Sequence, residues 1–327
     1  MMKNWIWLTT ITLATIVSVA GASYYFGVFP TTQKEKLAVS TTTSLYDTGL
    51  LNTIEDIFET KYPIDLQIIS RGTGLAIKLA QDGDVDMILV HAPSKELPFL
   101  TQEYGFCRKI IAYNFFAIVG PEADPAEIQG LTTLEALTKI VEAGRKGQVM
   151  WVSRGDESGT HAKEKELWKA VNFTWEDLRS ETNWYVEARK GMGGTLILAS
   201  ERSAYTITDM GTYLSHNNAG LITLKVLISQ KEELLNVYSA ITVNPTRHTH
   251  TNFNGAINLT KFLVSDEGQQ LIGDYGKDEY GQSLFYPAVK LLQKNNDPLA
   301  DSIREYAFFN GAECPVEYRC GCPELYD

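Results

Sequence analysis

Positive charge is in short supply in this chain. Its 327 residues carry 29 Lys and Arg against 40 Asp and Glu, a formal net charge of −11. Nucleic acid demands a basic patch, so the balance argues against a nucleic-acid partner. It also supplies no long-range pull on an anion, and any anion bound here has to be held by local groups. Cysteine is scarce as well. There are four, of which Cys314, Cys320 and Cys322 fall in the tail 314–327. Cys320-Gly321-Cys322 is too tight for the Cys-x-x-Cys pairs of a structural zinc site. His248-Thr249-His250 has no cysteine or acidic neighbour to complete a metal set and reads as surface, so no metal ion and no cofactor is expected. Long polar stretches are missing apart from a short piece near 31–36, and no repeat of solenoid length occurs.

Charge is nearly absent from the start of the chain, where Lys3 is alone before Lys34. Trp5 to Ala20 are apolar or Thr/Ser, and Ala20-Gly21-Ala22 offers the small residues that a signal peptidase cuts beside. Apolar residues resume from Tyr24 to Phe29, so residues 5–29 are also long enough to remain as a membrane anchor. Residues 1–36 are read as a secretory signal or anchor with a short linker, which places the protein in the periplasm or another extracytoplasmic space. No cysteine stands near this segment, which speaks against a bacterial lipid anchor. In an oxidising compartment the cysteines of the tail are expected to form disulfides, one of them joining Cys314 to Cys320 or Cys322, with Cys107 left open.

The remaining length and composition, 44% hydrophobic and 21% charged, suit two modest globular domains. Leu37-Ala38-Val39 reads as a strand. Leu50, Leu51, Ile54, Ile57 and Phe58 follow at helical spacing, and Pro63 closes that helix. Ile64, Leu66 and Ile68 alternate as a strand, a helix runs from about Leu75 to Gln81, and Val85–Val90 is the next strand. A run from Phe115 to Pro121 reads as a strand leaving this first unit. A second series follows: helix Leu134–Ala143, strand Val149–Ser153, helix His161–Ala170, strand Trp184–Ala188, helix Thr195–Glu201 and strand Tyr205–Thr208. Val237–Val243 reads as a return strand, and the segments Ala256–Val264 and Gly268–Tyr275 pack back on the first unit. Alternating strands and helices predict an α/β fold. Two crossings predict two lobes, each with a mixed sheet and flanking helices, and a two-strand hinge near Val119-Gly120 and Val237–Val243. The boundaries are 37–118 plus 241–313 for lobe I, 119–240 for lobe II and 314–327 for a cysteine-rich tail. Ligands of such folds sit in the crevice at the carboxyl ends of the strands.

Three strand-to-helix turns carry the chemistry: Ser40-Thr41-Thr42-Thr43-Ser44, Ser70-Arg71-Gly72-Thr73-Gly74, and Ser153-Arg154-Gly155-Asp156-Glu157-Ser158-Gly159-Thr160-His161. A helix start presents unpaired N–H groups and the positive end of a dipole. Glycine admits an anion to the backbone, hydroxyls add donors, and arginine adds a charged fork. One such turn is an ordinary N-cap. Three of them in a two-lobed pattern predict a donor-only cup for a tetrahedral oxyanion. Asp156 and Glu157 are expected to point away, cap the following helix or orient Arg154, and His161 to lie on the helix surface or behind the site.

The Thr-Thr-Thr-Ser turn and the Arg-Gly-Asp-Glu-Ser-Gly-Thr-His turn resemble the paired signatures of Tup-type tungstate-binding proteins. Val90-His91-Ala92-Pro93, the segment Glu187–Leu196 and Ala204–Asp209 are similar to further segments of that family, and the likeness runs from about Leu37 to about Pro287. The resemblance implies a type II periplasmic-binding fold, a tungstate- or molybdate-class oxyanion as ligand, and delivery to an ABC permease in the membrane. Carried over, Thr43 and Ser44 donate from the first lobe with Thr42 beside them. Arg154 faces the anion from the second lobe, and Ser158, Gly159 and Thr160 supply hydroxyl or backbone donors. Arg71 and Thr73 belong to the same expected set. Where family members often continue Thr-Asp with an arginine, this chain has Met210, which weakens any charged role for that segment. The cysteine cluster falls outside the resemblance.

Competing functions follow from the same residues. Molybdate, sulfate and phosphate are alternative ligands; a partly protonated phosphate calls for an acceptor carboxylate, which a donor-only cup lacks. A serine hydrolase is the remote alternative. Its elbow needs Gly-x-Ser-x-Gly, whereas Ser158 sits in Gly-x-x-Ser-Gly. Arg154-Gly155-Asp156 as an adhesion tripeptide is read as coincidence. The protein is expected to act as a monomer and to catalyse nothing.

Overall fold

A computed structural model describes residues 34–319, 321, 325 and 326. The expected signal or anchor therefore lies outside the described residues, as do Cys320 and Cys322. Among the described residues no helix is long and apolar enough to cross a membrane.

The chain opens with β1 (Glu35–Thr42), the short helix α1 (Thr43–Tyr46), α2 (Leu50–Lys61), β2 (Ile64–Arg71), α3 (Thr73–Asp82), β3 (Met87–Val90) and α4 (Pro93–Thr101). β4 (Gly105–Gly120) is the longest strand. Nearly every residue of β4 is buried, so it reads as an unbroken apolar run rather than an alternation. There follow α5 (Thr133–Arg145), β5 (Trp151–Ser153), α6 (Gly159–Ala170), α7 (Trp175–Ser180), β6 (Tyr185–Glu187), α8 (Met192–Glu201), β7 (Thr206–Asp209) and α9 (Met210–Asn218). β8 (Lys225–Ser229) and β9 (Leu235–Val243) bring the chain back. The remainder is α10 (Phe253–Val264), α11 (Asp266–Asp274), α12 (Lys277–Tyr280), β10 (Tyr286–Pro287), α13 (Val289–Leu292) and α14 (Pro298–Ala307). Every strand and helix expected from periodicity is present, most with ends displaced by a few residues, but β4 begins at Gly105 rather than Phe115. α1, α4, α7, α9, α12, α13, α14, β8 and β10 lie outside the expected set.

The expected mixed sheet with flanking helices is present, together with a second, two-stranded parallel sheet. β4 belongs to both halves of one eight-stranded sheet, in which the order is β10-β4-β9-β3-β1-β2 and β7 and β8 also pair with β4. Gly105 to Phe115 pair antiparallel with β9, whereas Phe116 to Gly120 pair with β7 and β8. The chain thus changes partners between Phe115 and Phe116. β5 and β6 form a parallel two-stranded sheet, and a bridge from Trp151 to Tyr205 joins it to the head of β7. β9 pairs along its whole length with β3 and the first part of β4, so the return crossing falls between Ser229 and Leu235 rather than within Val237–Val243.

Two main cores result. Leu37, Val39, Ile54, Phe58, Leu89 and Phe262 pack in one; Phe116, Ile118, Leu137, Trp151, Trp168 and Trp184 pack in the other. Each such side chain stabilises the fold by roughly 1.5–3 kcal/mol. Local signals fix the helix starts. Thr132 and Glu135 form a capping box on α5, as do Thr174 and Asp177 on α7. His248 and His250 are not loose surface groups: their Nε2 atoms lie 3.0 and 2.9 Å from the carbonyls of Gln81 and Gly83 and hold the end of α3. Among the described residues no cluster of metal-binding side chains occurs.

The pairing expected of Cys314 is not made. Cys314 carries a free, buried thiol, whose hydrogen-bond partners are the backbone of Arg108 and the side chain of Tyr326. Burial pushes that thiol up from its ordinary pKa. Cys107 is the cysteine engaged in a disulfide. A buried ion cluster flanks these cysteines. Arg108 Nε donates to Glu96 Oε2 at 2.9 Å, and Arg108 Nη1 donates to the Glu313 carbonyl at 2.6 Å. Lys109 Nζ lies 2.8 Å from Glu313 Oε2. Glu96 Oε1 accepts the Ala92 N–H at 2.8 Å and so fixes the start of α4. Glu96→Ala leaves a buried guanidinium without its carboxylate and is expected to cost about 3–5 kcal/mol in urea unfolding. The double replacement Glu96→Leu with Arg108→Met is expected to cost much less, because no unpaired charge remains.

Candidate functional site

The first turn sits where β1 ends. Ser40 and Thr41 spend their hydroxyls on the carbonyls of Ala76 and Leu89 and are structural. Thr42 caps α1, accepting the Leu45 N–H at 3.3 Å. Thr42 Oγ1 and Ser44 Oγ are 3.3 Å apart, and each is 3.2 Å from His91 Nε2. Thr43 turns the other way, toward the third turn.

That third turn follows β5. Gly155 there has φ +64° with Glu187 packed against its Cα, a place a side chain would enter only under strain. Arg154 is 2% exposed and its guanidinium is fully directed. Nε donates to Asp156 Oδ2 at 2.8 Å, Nη1 to Thr160 Oγ1 at 3.5 Å, and Nη2 to Thr43 Oγ1 at 2.9 Å. Asp156 therefore orients Arg154, and its second oxygen accepts the Ser158 N–H at 3.2 Å. The Glu157 carboxylate turns outward to Lys165 at 2.7 Å, while its carbonyl accepts from Lys95 Nζ of α4 at 2.9 Å. Ser158 caps α6 by accepting the His161 N–H at 3.2 Å. His161 is buried, not on the surface, and its Nδ1 accepts the Glu157 N–H at 3.1 Å. Burial lowers its pKa. Ser158 thus faces a backbone N–H and not an imidazole nitrogen, unlike the nucleophile of a hydrolase.

The second turn reaches the site unevenly. Gly72 caps α3 and Thr73 is its first residue. Thr73 Oγ1 is buried and meets no hydrogen-bond partner among the described residues. Arg71 is exposed, and its Nη1 donates to the adjacent Ser70 carbonyl at 2.8 Å, so this arginine does not join the others. A cavity of about 410 Å³ lies between the turns, lined by Thr43, Gly72, Gly74, Arg154, Asp156 and Gly191 among others. Gly191 caps α8 with no side chain in the way. Its signal was the run Gly191-Met192-Gly193-Gly194, which had not been assigned a contact.

Arg154 is buried, and two acidic groups near it feel its charge. Burial raises the pKa of Asp209, against hydrogen bonds from Thr212 and the pull of Arg154. Burial likewise raises Asp47, with Arg154 and His216 opposing. Asp209 caps α9 through the Thr212 N–H at 2.8 Å, and Met210 after it brings no charge.

The chain matches the PBP superfamily domain over residues 30–267. The tungstate-binding protein TupA of Peptoclostridium acidaminophilum is 39% identical over 260 residues, which are 79% of this chain and 87% of that protein. This chain belongs to the Tup-type family of the PBP superfamily. Two solved structures are similar throughout the Tup-type fold. The tungstate-binding protein TupA from Desulfovibrio alaskensis G20 is 38% identical, covering 77% of this chain and 98% of its own, with a TM-score of 0.67. The tungstate ABC transporter structure from Geobacter sulfurreducens is 41% identical, covering 74% and 99%, with a TM-score of 0.65.

In this Tup-type chain the third turn also closely approaches His91, which backs the first turn. A Cβ added to Gly159 would lie 2.7 Å from His91 Cε1. The ring has little freedom to yield, because its Nδ1 is held 2.8 Å from Asn236 Oδ1. Gly159→Ala is expected to push the turns apart and weaken oxyanion binding about tenfold or more, while Gly147→Ala, whose φ of +71° strains a helix end outside the cavity lining, costs stability but leaves affinity unchanged. Calorimetric titration of both variants checks this.

Proposed function

We propose that the protein is the extracytoplasmic solute-binding component of an ABC importer, taking up tungstate between two lobes and handing it to a membrane permease. The observation that carries this is the Arg154 guanidinium, buried and donating at once to Thr43 of the first turn and Thr160 of the third. Thr42, Thr43, Ser44, Thr73, Arg154, Ser158, Gly159 and Thr160 form the proposed anion site, and Arg71 is left out of it. Hydroxyls, glycine N–H groups and a guanidinium are the donors a fully deprotonated tetrahedral anion takes. Tungstate and molybdate share size and charge; tungstate is preferred because the relatives carry that name. The site catalyses nothing in this reading. Ser44, His91 and Asn236 do form a hydroxyl–imidazole–amide string, but Ser44 is buried and shares His91 Nε2 with Thr42. Export through the N-terminal segment suits a disulfide at Cys107.

Titration of the ligand-free protein with tungstate, molybdate, sulfate and phosphate tests the ligand. Tungstate and molybdate are expected to bind far more tightly than the other two, and tight phosphate binding alone would sink the reading. Arg154→Ala is expected to lose about 2–5 kcal/mol of tungstate affinity. Arg145→Ala, which removes an exposed pairing with Glu181, is expected to leave it unchanged.

Residues 37–115 with 235–313 are proposed as one lobe and 116–234 as the other, a few residues from the expected boundaries, moving about β4 and the segment between β8 and β9. Neither set of turns surrounds an anion alone, so the ligand binds the closed state better and shifts the population toward it. Small-angle scattering of the monomer is expected to show a smaller radius of gyration with tungstate. An unchanged radius in a sample that demonstrably binds tungstate means a preformed cup.

A further inference from the structure

We propose that His91 is a positioning residue of the anion site, whose unprotonated Nε2 takes a hydroxyl proton from Thr42 or Ser44 and so sets which donors this wall of the cleft can offer. The inference rests on reading the cavity as an oxyanion site.

The direction of every bond in the string follows from one carbonyl. The Leu284 carbonyl can only accept, so the Asn114 atom 3.1 Å from it is Nδ2. Asn114 Oδ1 then faces Asn236, which must present Nδ2, at 2.9 Å. The same Nδ2 donates to the Tyr238 hydroxyl at 2.8 Å. Asn236 is left with Oδ1 toward His91, and the imidazole atom 2.8 Å away must be Nδ1–H. A neutral imidazole with its proton on Nδ1 carries a lone pair on Nε2. Burial, with Arg154 nearby, holds the ring neutral and depresses its pKa to about 4 against the opposing bond from Asn236.

Nε2 stands 3.2 Å from both Thr42 Oγ1 and Ser44 Oγ, and those two oxygens are 3.3 Å apart. Two hydroxyl protons serve this triangle. One is committed to Nε2, and Thr42 Oγ1 is further tied as acceptor to the Leu45 N–H. The other bridges the 3.3 Å contact between Thr42 and Ser44, and in the proposed site a bound anion draws it outward by replacing that contact. Without His91 both hydroxyls rotate freely or bond to each other, and the donor presented to the cleft is no longer fixed. The ring also touches the other turn: Gly159 is packed against it, and its centroid lies 4.9 Å from that of Tyr238 of β9, the planes tilted by 34°. A single side chain therefore reads the strand β9, the first turn and the third turn together. Four buried polar side chains are a costly way to fill this space if packing were the only need.

The test uses the full chain and sodium tungstate. Histidine-selective ¹⁵N NMR at pH 7 is expected to show His91 with a protonated Nδ1 and a bare Nε2, and the Nε2 resonance is expected to move when tungstate is added. A proton found on Nε2 would overturn the proposal, as would an Nε2 resonance indifferent to tungstate. His91→Phe is expected to weaken tungstate binding about tenfold, and His91→Gln, which keeps an acceptor, to recover part of that loss. Wild-type affinity in His91→Phe removes the positioning role; should that variant not fold, the NMR result decides alone. Arg154→Ala is titrated alongside. Lost binding there with intact binding in His91→Phe defeats only the His91 proposal, whereas intact binding in both defeats the oxyanion site itself.

Discussion

A guanidinium taken almost wholly out of water is the constraint around which the site is arranged. Arg154 cannot shed its charge, so every N–H it buries has to be answered. Asp156 answers Nε from two residues along, Thr160 answers Nη1 from the start of α6, and Thr43 answers Nη2 from the other side of the cavity. Only one of these three partners is a carboxylate, and it also holds the Ser158 N–H. The others are neutral hydroxyls, which satisfy geometry but leave positive charge on the fork. One permanent positive charge is thereby buried at the cavity, although the chain as a whole is strongly acidic.

The long shared strand explains how residues more than a hundred positions apart meet there. β4 gives its first part to one core and its last five residues to the other, and no loop intervenes at the change. A continuous strand transmits position far better than a linker, so Thr43 and Arg154 are set within 2.9 Å by the geometry of the sheet. The polar string from Leu284 through Asn114 and Asn236 to His91 crosses β4 and β9 close to that change of partner. The Arg108–Glu96–Glu313 cluster acts at the opposite end of the problem. It binds the tail to the start of β4 and, through Glu96 and the Ala92 N–H, fixes the residue next to His91.

The helices and strands were legible because their periods were strong: Leu50 to Phe58 at helical spacing, Ile64 to Ile68 alternating. α4 was missed because its window contains Pro93 and Pro98, which read as breaks, whereas the first is a favourable opening residue and the second is tolerated in so short a helix. α14 carries a clear amphipathic pattern after its Asp297 cap, a signal the expected set does not include. At the site, the glycine- and hydroxyl-rich turns announced themselves through composition. Arg71 carried the same local signal as Arg154 and yet points away: Arg71 is the last residue of β2 with only Gly72 before its helix, whereas Arg154 opens the longer turn between β5 and α6. Cys314 went wrong for a related reason. Nearness in sequence to Cys320 and Cys322 suggested a partner, while the fold sealed its thiol against Arg108 and Tyr326.

His91 and Asn236 were invisible as a pair for a deeper reason. Each stands in an apolar strand context, 145 positions apart, and nothing in the spacing of either marks a polar partner. Their role depends on direction, and direction is set by a carbonyl at Leu284 that belongs to neither segment. A hydroxyl can donate or accept, and a side-chain amide can be turned end for end, so composition alone cannot say which groups at a site are donors. One fixed acceptor at the end of a string removes that freedom from every member. The donor character of the cup is therefore not a property of Thr42, Ser44 or Thr43 taken singly. In the proposed anion site it is imposed from behind by the string that ends at Leu284 and from the front by Arg154.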